Sequence, residues 1–133
     1  MAWPDNLQNE SYDLRIREWD GAQWHIVGSD VVRTVVTDHF RRQSMDIVIG
    51  ADGHPVIAWK GFVAPQYDLY AQRWTGATWA DIGEKSSTGG GISDNVGDSD
   101  NLSLASAPDG SLYLAWNDDT SGNDQIYIRS WQD

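Results

Sequence analysis

The stretch YDLYAQRWTGATW at residues 67–79 repeats YDLRIREWDGAQW at residues 12–24, and a shorter third version, QIYIRSW, occupies residues 125–131. Repetition at a fixed step dictates architecture, so it is read before single elements. Tryptophan gives the step. Trp3, Trp59 and Trp116 each follow an alanine and lie 56 and 57 residues apart; Trp19, Trp74 and Trp131 lie 55 and 57 apart; Trp24 and Trp79 lie 55 apart. These columns hold all eight tryptophans. Gly21 and Gly76, Gly28 and Gly83, and the Asp-Gly pairs at 52–53 and 109–110 keep the same step.

Within one repeat the pattern is all β. DIVIGADGHPVIAW, residues 46–59, reads as strand, Asp-Gly turn, strand, because apolar and β-branched residues flank a dipeptide that tolerates the positive φ of a tight hairpin. YDLYAQRWTGATWADIG repeats the device around Thr75-Gly76, and its first copy uses Asp20-Gly21. Each repeat therefore carries four short strands, termed a to d. A polar loop is expected between b and c (FVAPQ, 62–66; NDDTSGND, 117–124), and a longer one, EKSSTGGGISDNVGDSDN, between d and the next a.

Four antiparallel strands per unit, repeated, are the pattern of a β-propeller blade, whose sheet buries its faces on its neighbours. The run LSLASAPDGSLYLAWNDDTSGNDQIYIRSW, preceded by GGGISDNVGDSDN and combined with the W-x-G-x-x-W-like hairpins of the earlier copies, resembles the tandem propeller repeats of bacterial surface and secreted proteins. The resemblance covers nearly the whole chain except residues 31–44, VVRTVVTDHFRRQS. It implies a β-propeller and a secreted or cell-surface setting, with little about chemistry.

A chain of 133 residues holds about 2.4 such repeats: an incomplete first blade at 1–28, a complete one at 45–83 and an incomplete last one at 102–133. Propellers close with four to eight blades, so ring closure by homo-oligomerisation, as a dimer or a trimer, is expected. In that assembly strand d of one copy, residues 23–28, is expected to complete the last blade of the next. Trp3, Trp19, Trp59, Trp74, Trp116 and Trp131 are expected to pack between sheets.

The charge balance, 9 Lys and Arg against 20 Asp and Glu, repels phosphate backbones and anionic lipid, so neither nucleic acid nor membrane is an expected partner. Without cysteine there is no disulfide, thiolate metal site or cysteine nucleophile. MAWPDNLQNE lacks the basic start and apolar centre of a signal peptide.

Candidate sites are few. Trp24 and Trp79, just after the hairpin turn, are placed to stack on a sugar, although repetition favours packing. Arg33, His39, Phe40, Arg41 and Arg42 gather cations where the repeat is overwritten, a pattern suited to an anionic ligand or to a neighbour's acidic loop. Asp94, Asp98, Asp100, Asp118, Asp119 and Asp124 offer oxygen ligands, but the spacing of a calcium loop is missing and no cofactor is expected. His25, His39 and His54 fall at unrelated repeat positions and form no catalytic set. The expected function is a self-assembling, non-catalytic binding or interaction module, with a multivalent glycan-binding lectin as the first alternative and a glycosidase-like hydrolase as the second.

Overall fold

A computed structural model describes residues 1–7, 11–28, 33–34, 45–63 and 65–132, the side chains of 2–7, 11–13 and 33–34 excepted. The fold is all β, in three small antiparallel sheets. The first sheet holds β1 (Ala2–Leu7), β2 (Ser11–Trp19), β3 (Trp24–Ile26) and β4 (Arg33–Thr34). The second holds β5 (Met45–Ile49), β6 (Pro55–Val63), β7 (Gln66–Trp74) and β8 (Trp79–Asp81), paired in chain order. The third holds β9 (Ser99–Ser106), β10 (Leu112–Asp118) and β11 (Gln125–Trp131), also paired in chain order.

The hairpins form where the Asp-Gly and Thr-Gly pairs place them. Asp20 Oδ1 accepts from the amides of Ala22 and Gln23 at 2.7 and 2.8 Å, Asp52 Oδ1 from that of His54 at 2.9 Å, and Asp109 Oδ1 from that of Ser111 at 3.0 Å. Thr75 Oγ1 does the same for Thr78 at 3.1 Å. Each side chain closes a turn by mimicking a backbone acceptor, and the glycine that follows supplies the positive φ, +81° at Gly53 and +90° at Gly110.

Two boundaries differ from expectation. FVAPQ is not a loop throughout: Phe62 and Val63 continue β6 and Gln66 opens β7, held by the tilted pair Phe62–Tyr67 at 4.9 Å. The third sheet starts at Ser99 rather than 102, because Ser99 and Asp100 pair with Asp118 and Asn117 across a register shift. Strand β3, expected to leave for another copy, pairs with β2 of its own chain, Trp19 opposite Trp24.

The second sheet is buried on both faces. Alternation along β6 and β7 sends Val56, Ala58, Leu69 and Ala71 into one cluster with Leu102, Leu104, Leu112, Leu114 and Trp116 of the third sheet. The opposite face sends Ile57, Trp59 and Tyr70 into another with Leu14, Ile16 and Val27 of the first. The period of two makes one strand serve two cores. At about 25 cal/mol per Å2, such apolar burial is the main stabilising term where these sheets meet.

Candidate assembly interface

The repeat makes the two inter-sheet contacts copies of one another. Trp59 stacks on Tyr70 with centroids 5.8 Å apart and planes at 22°; Trp116 stacks on Tyr127 at 5.8 Å and 19°. In each case this aromatic face looks back at the preceding sheet. Trp74 and Trp79 form a tilted pair, 5.5 Å and 54°, that lies over the end of β3: Trp79 Nε1 donates to the Val27 carbonyl at 3.4 Å, and both indoles cover Gly28. Trp131 covers Gly83 in the same way.

Continuing this scheme outward leaves two faces without a neighbouring sheet among the described residues. Trp19 and Trp24 pair at 5.5 Å and 56°, matching Trp74 and Trp79, but they stand 50% and 46% exposed, since among the described residues no preceding sheet offers them what Val27 and Gly28 offer Trp74 and Trp79. At the far end, Tyr113, Ile126 and Ile128 occupy the repeat positions of Val56, Leu69 and Ala71. They are 43%, 73% and 68% exposed, against 2%, 0% and 1% for their counterparts. One end presents the aromatic lid and the other the apolar floor.

Of the other sequence candidates, Trp79 serves packing and Trp24 lies in the open lid. Trp3 lies on β1 opposite Arg15 in register, and Arg33 on β4 opposite Asp13. His39, Phe40, Arg41 and Arg42 of the basic cluster lie outside the described residues.

The acidic loops zip to each other. Asp119 Oδ1 accepts from the Asp98 amide at 2.8 Å, Asp98 Oδ1 from the Tyr67 amide at 3.0 Å, and Asp100 pairs with Lys60 at 3.0 Å. Asp118 is fully buried; desolvation pushes its pKa up, but hydrogen bonds from Thr120, Ser99 and Asn95 outweigh it and hold the carboxyl below its usual range. Asp68 goes the other way: burial pushes it up in spite of hydrogen bonds from Ser93 and Gln66. Among the described residues no three His, Cys, Asp or Glu side chains gather as a metal site.

The loop from 84 to 98 returns along the outer edge of β7, beyond the end of short β8. The Ala71 amide donates to the Ser86 carbonyl at 2.8 Å and the Ile92 amide to the Leu69 carbonyl at 2.6 Å. Tyr70 Oη donates to the Gly89 carbonyl at 2.9 Å; burial, then the Asp68 charge, push its phenol up to about 12. A cleft of about 350 Å3 opens beside this loop, lined by Glu84, Lys85, Thr88, the glycines 89–91, Asp94 and Arg129. The sequence reading missed both the cleft and the apolar floor. The floor was legible by aligning Ile126 and Ile128 with Leu69 and Ala71; the cleft depends on a loop with no repeat counterpart.

No family model, curated protein or solved structure matches the chain. What stands is an all-β, repeat-like fold of several small antiparallel sheets. Among the described residues no helix is long and apolar enough to cross a membrane.

Proposed function

We propose that this chain is a self-assembling β-propeller binding module, in which two copies close one ring of six blades. The observation that carries the proposal is the position-by-position match between the bare floor of Tyr113, Ile126 and Ile128 and the floor of Val56, Leu69 and Ala71, which the third sheet already covers. A surface of that kind favours association. The other end of the same chain exposes Trp19 and Trp24, whose equivalents Trp74 and Trp79 lie over the preceding sheet at Val27 and Gly28. Lid on floor is a heterologous contact, which gives a closed ring when the rotation suits.

Three sheets per copy favour two copies. Six blades lie within the usual four to eight, whereas three copies would make nine. The first and third sheets each own strands b and c, so merging them into one blade would displace two strands. A binding role rather than catalysis is supported by how the acids are used: Asp20, Asp52 and Asp109 cap turns, and Asp98, Asp118 and Asp119 tie loops. Light scattering tests the ring. Twice 14.8 kDa at micromolar concentration is expected, and a persistent mass of 14.8 kDa rejects it.

A second reading, glycan binding, is favoured by the cleft between the second and third sheets, whose Lys85, Arg129, Thr88 and Asp94 mix donors and acceptors as a polyhydroxylated ligand requires. The site then lies there rather than on Trp79. A glycan array probed with the chain and with Arg129→Ala tests it; the absence of any hit retires it.

A further inference from the structure

Two bases, Lys85 and Arg129, and two acids, Glu84 and Asp94, line the cleft of about 350 Å3 between the second and third sheets. Lys60 is paired with Asp100 and Arg73 with Asp52, both at 3.0 Å. Among the described residues neither Lys85 nor Arg129 forms such a pair, with the cleft's own acids or with any other. In a chain with 20 acidic and 9 basic side chains an unpaired cation is the exception, and here two face one space. We propose that, on the glycan reading of this cleft, its ligand is an acidic sugar: a pyranose whose single carboxylate lies on Lys85 and Arg129 and whose hydroxyls donate to Glu84 and Asp94.

The loop from 84 to 98 holds these groups in place against its own backbone preference. Lys85 and Asp94 have φ of 58° and 41°, and with Asn101 they are the non-glycine residues in the left-handed region among the described residues. Glycine would take that conformation freely, and the same loop uses glycine at 89–91. Side chains kept there mark places where the surrounding structure dictates the backbone, and such places cluster at ligand sites. Arg129 is held from two sides. Its Nη1 donates to the Ile92 carbonyl at 2.8 Å, and its guanidinium lies over the Trp131 ring, 5.5 Å from the centroid. Ile92 is tied in turn to β7, its amide donating to the Leu69 carbonyl at 2.6 Å. The guanidinium is thus oriented before any ligand arrives, with further N–H groups left for an acceptor.

The lining sets the chemistry of the ligand. Among the described residues no apolar or aromatic side chain lines the cleft, so neither the ring of a neutral sugar nor the side chain of an amino acid finds a face to pack on. Affinity has to come from charge and hydrogen bonds. A carboxylate matches a guanidinium and an ammonium together. A second negative charge on the same group would meet Glu84 and Asp94, which disfavours phosphate. Those two carboxylates accept hydrogen bonds and cannot donate them, so the rest of the ligand must bring donors, as vicinal hydroxyls do. A sugar acid carries both on one ring.

The test is calorimetric titration of the full chain with glucuronate and galacturonate, and with their methyl esters, glucose, inorganic phosphate and serine for comparison. Saturable binding of a uronate is expected, with a Kd of about 1 mM for so small a ligand. It should weaken about tenfold for the methyl ester, which keeps every ring hydroxyl and loses the charge, and by a similar factor when the chain carries Arg129→Gln or Lys85→Gly. Glycine relieves the positive φ, so Lys85→Gly should melt no lower than the parent, which keeps a loss of binding apart from a loss of fold. The esters and Lys85→Gly decide the matter should Arg129→Gln not fold. Equal binding of glucose or of the esters overturns the acidic-sugar assignment and leaves the glycan reading standing. Phosphate or serine binding as tightly as a uronate overturns it in favour of a simple anion or zwitterion site. No binding by any of these compounds overturns it as well, while the glycan array, which presents larger ligands, judges the broader reading separately.

Discussion

The Trp79 indole lies against Gly28 so closely that a Cβ on Gly28 would sit 2.6 Å from Nε1, and Gly28 itself holds φ at +80°. Gly53 has nearly the same φ, +81°, with nothing within 4 Å. The pair separates backbone strain from packing. Gly53→Ala is expected to cost about 1 kcal/mol, the left-handed penalty alone. Gly28→Ala adds overpacking against two tryptophans, for about 2–4 kcal/mol in total, read as a shift in the urea midpoint.

Leu69 and Ile126 hold equivalent places in the repeat with opposite surroundings. Leu69→Ala opens a cavity between the second and third sheets and is expected to cost about 2–5 kcal/mol. Ile126→Ala, on a face that is bare in the single chain, should leave the stability of that single chain within about 0.5 kcal/mol. Its effect belongs to assembly. Ile126→Asp with Ile128→Asp should give a folded protein of single-chain mass by light scattering.

Ser86 is buried and works twice: its Oγ accepts from the Ile82 amide and donates to the Ala71 carbonyl, both at 2.8 Å. Ser86→Ala strands both groups and should cost about 1–3 kcal/mol. Hydrogen exchange should quicken first at Ile82, where the loop from 84 to 98 is pinned to the edge of β7.

Stability should depend on pH through two aspartates of opposite sign. Hydrogen bonds from the Gln23 and Ala22 amides, then His25, hold Asp20 at about 2 against an ordinary value of 3.8, so its contribution is present above pH 3.8 and is lost as pH falls towards 2. Burial raises Asp68, so the folded state is favoured when that group is protonated, and the advantage is lost as pH rises through its folded value. Asp20→Asn should therefore lower the denaturation midpoint at neutral pH and converge with the parent near pH 2. Asp68→Asn should raise it at neutral pH and converge as the pH falls.

How far the sequence carries can be judged from Trp74 and Trp131. Their column, with those of Trp3 and Trp24, shows that the chain repeats, and the turn chemistry of Asp20, Asp52, Thr75 and Asp109 shows where its hairpins lie. Both signals are local, set by a period of two and by a dipeptide that accepts positive φ, so they survive in a string of letters. The boundaries that were misjudged, at Phe62 and Ser99, are places where cross-strand partners extend pairing into polar sequence.

The amino-acid sequence alone determined an all-β chain built from copies of one unit. Only the tertiary structure decided which copies are covered: Leu69 and Ile126 carry the same chemistry in the same place, and burial depends on whether another sheet lies across them. The cleft at Arg129 and the bare face at Ile128 are decided the same way. They arise from what stands beside a strand, and a neighbour distant along the chain leaves no mark in the strand's own residues.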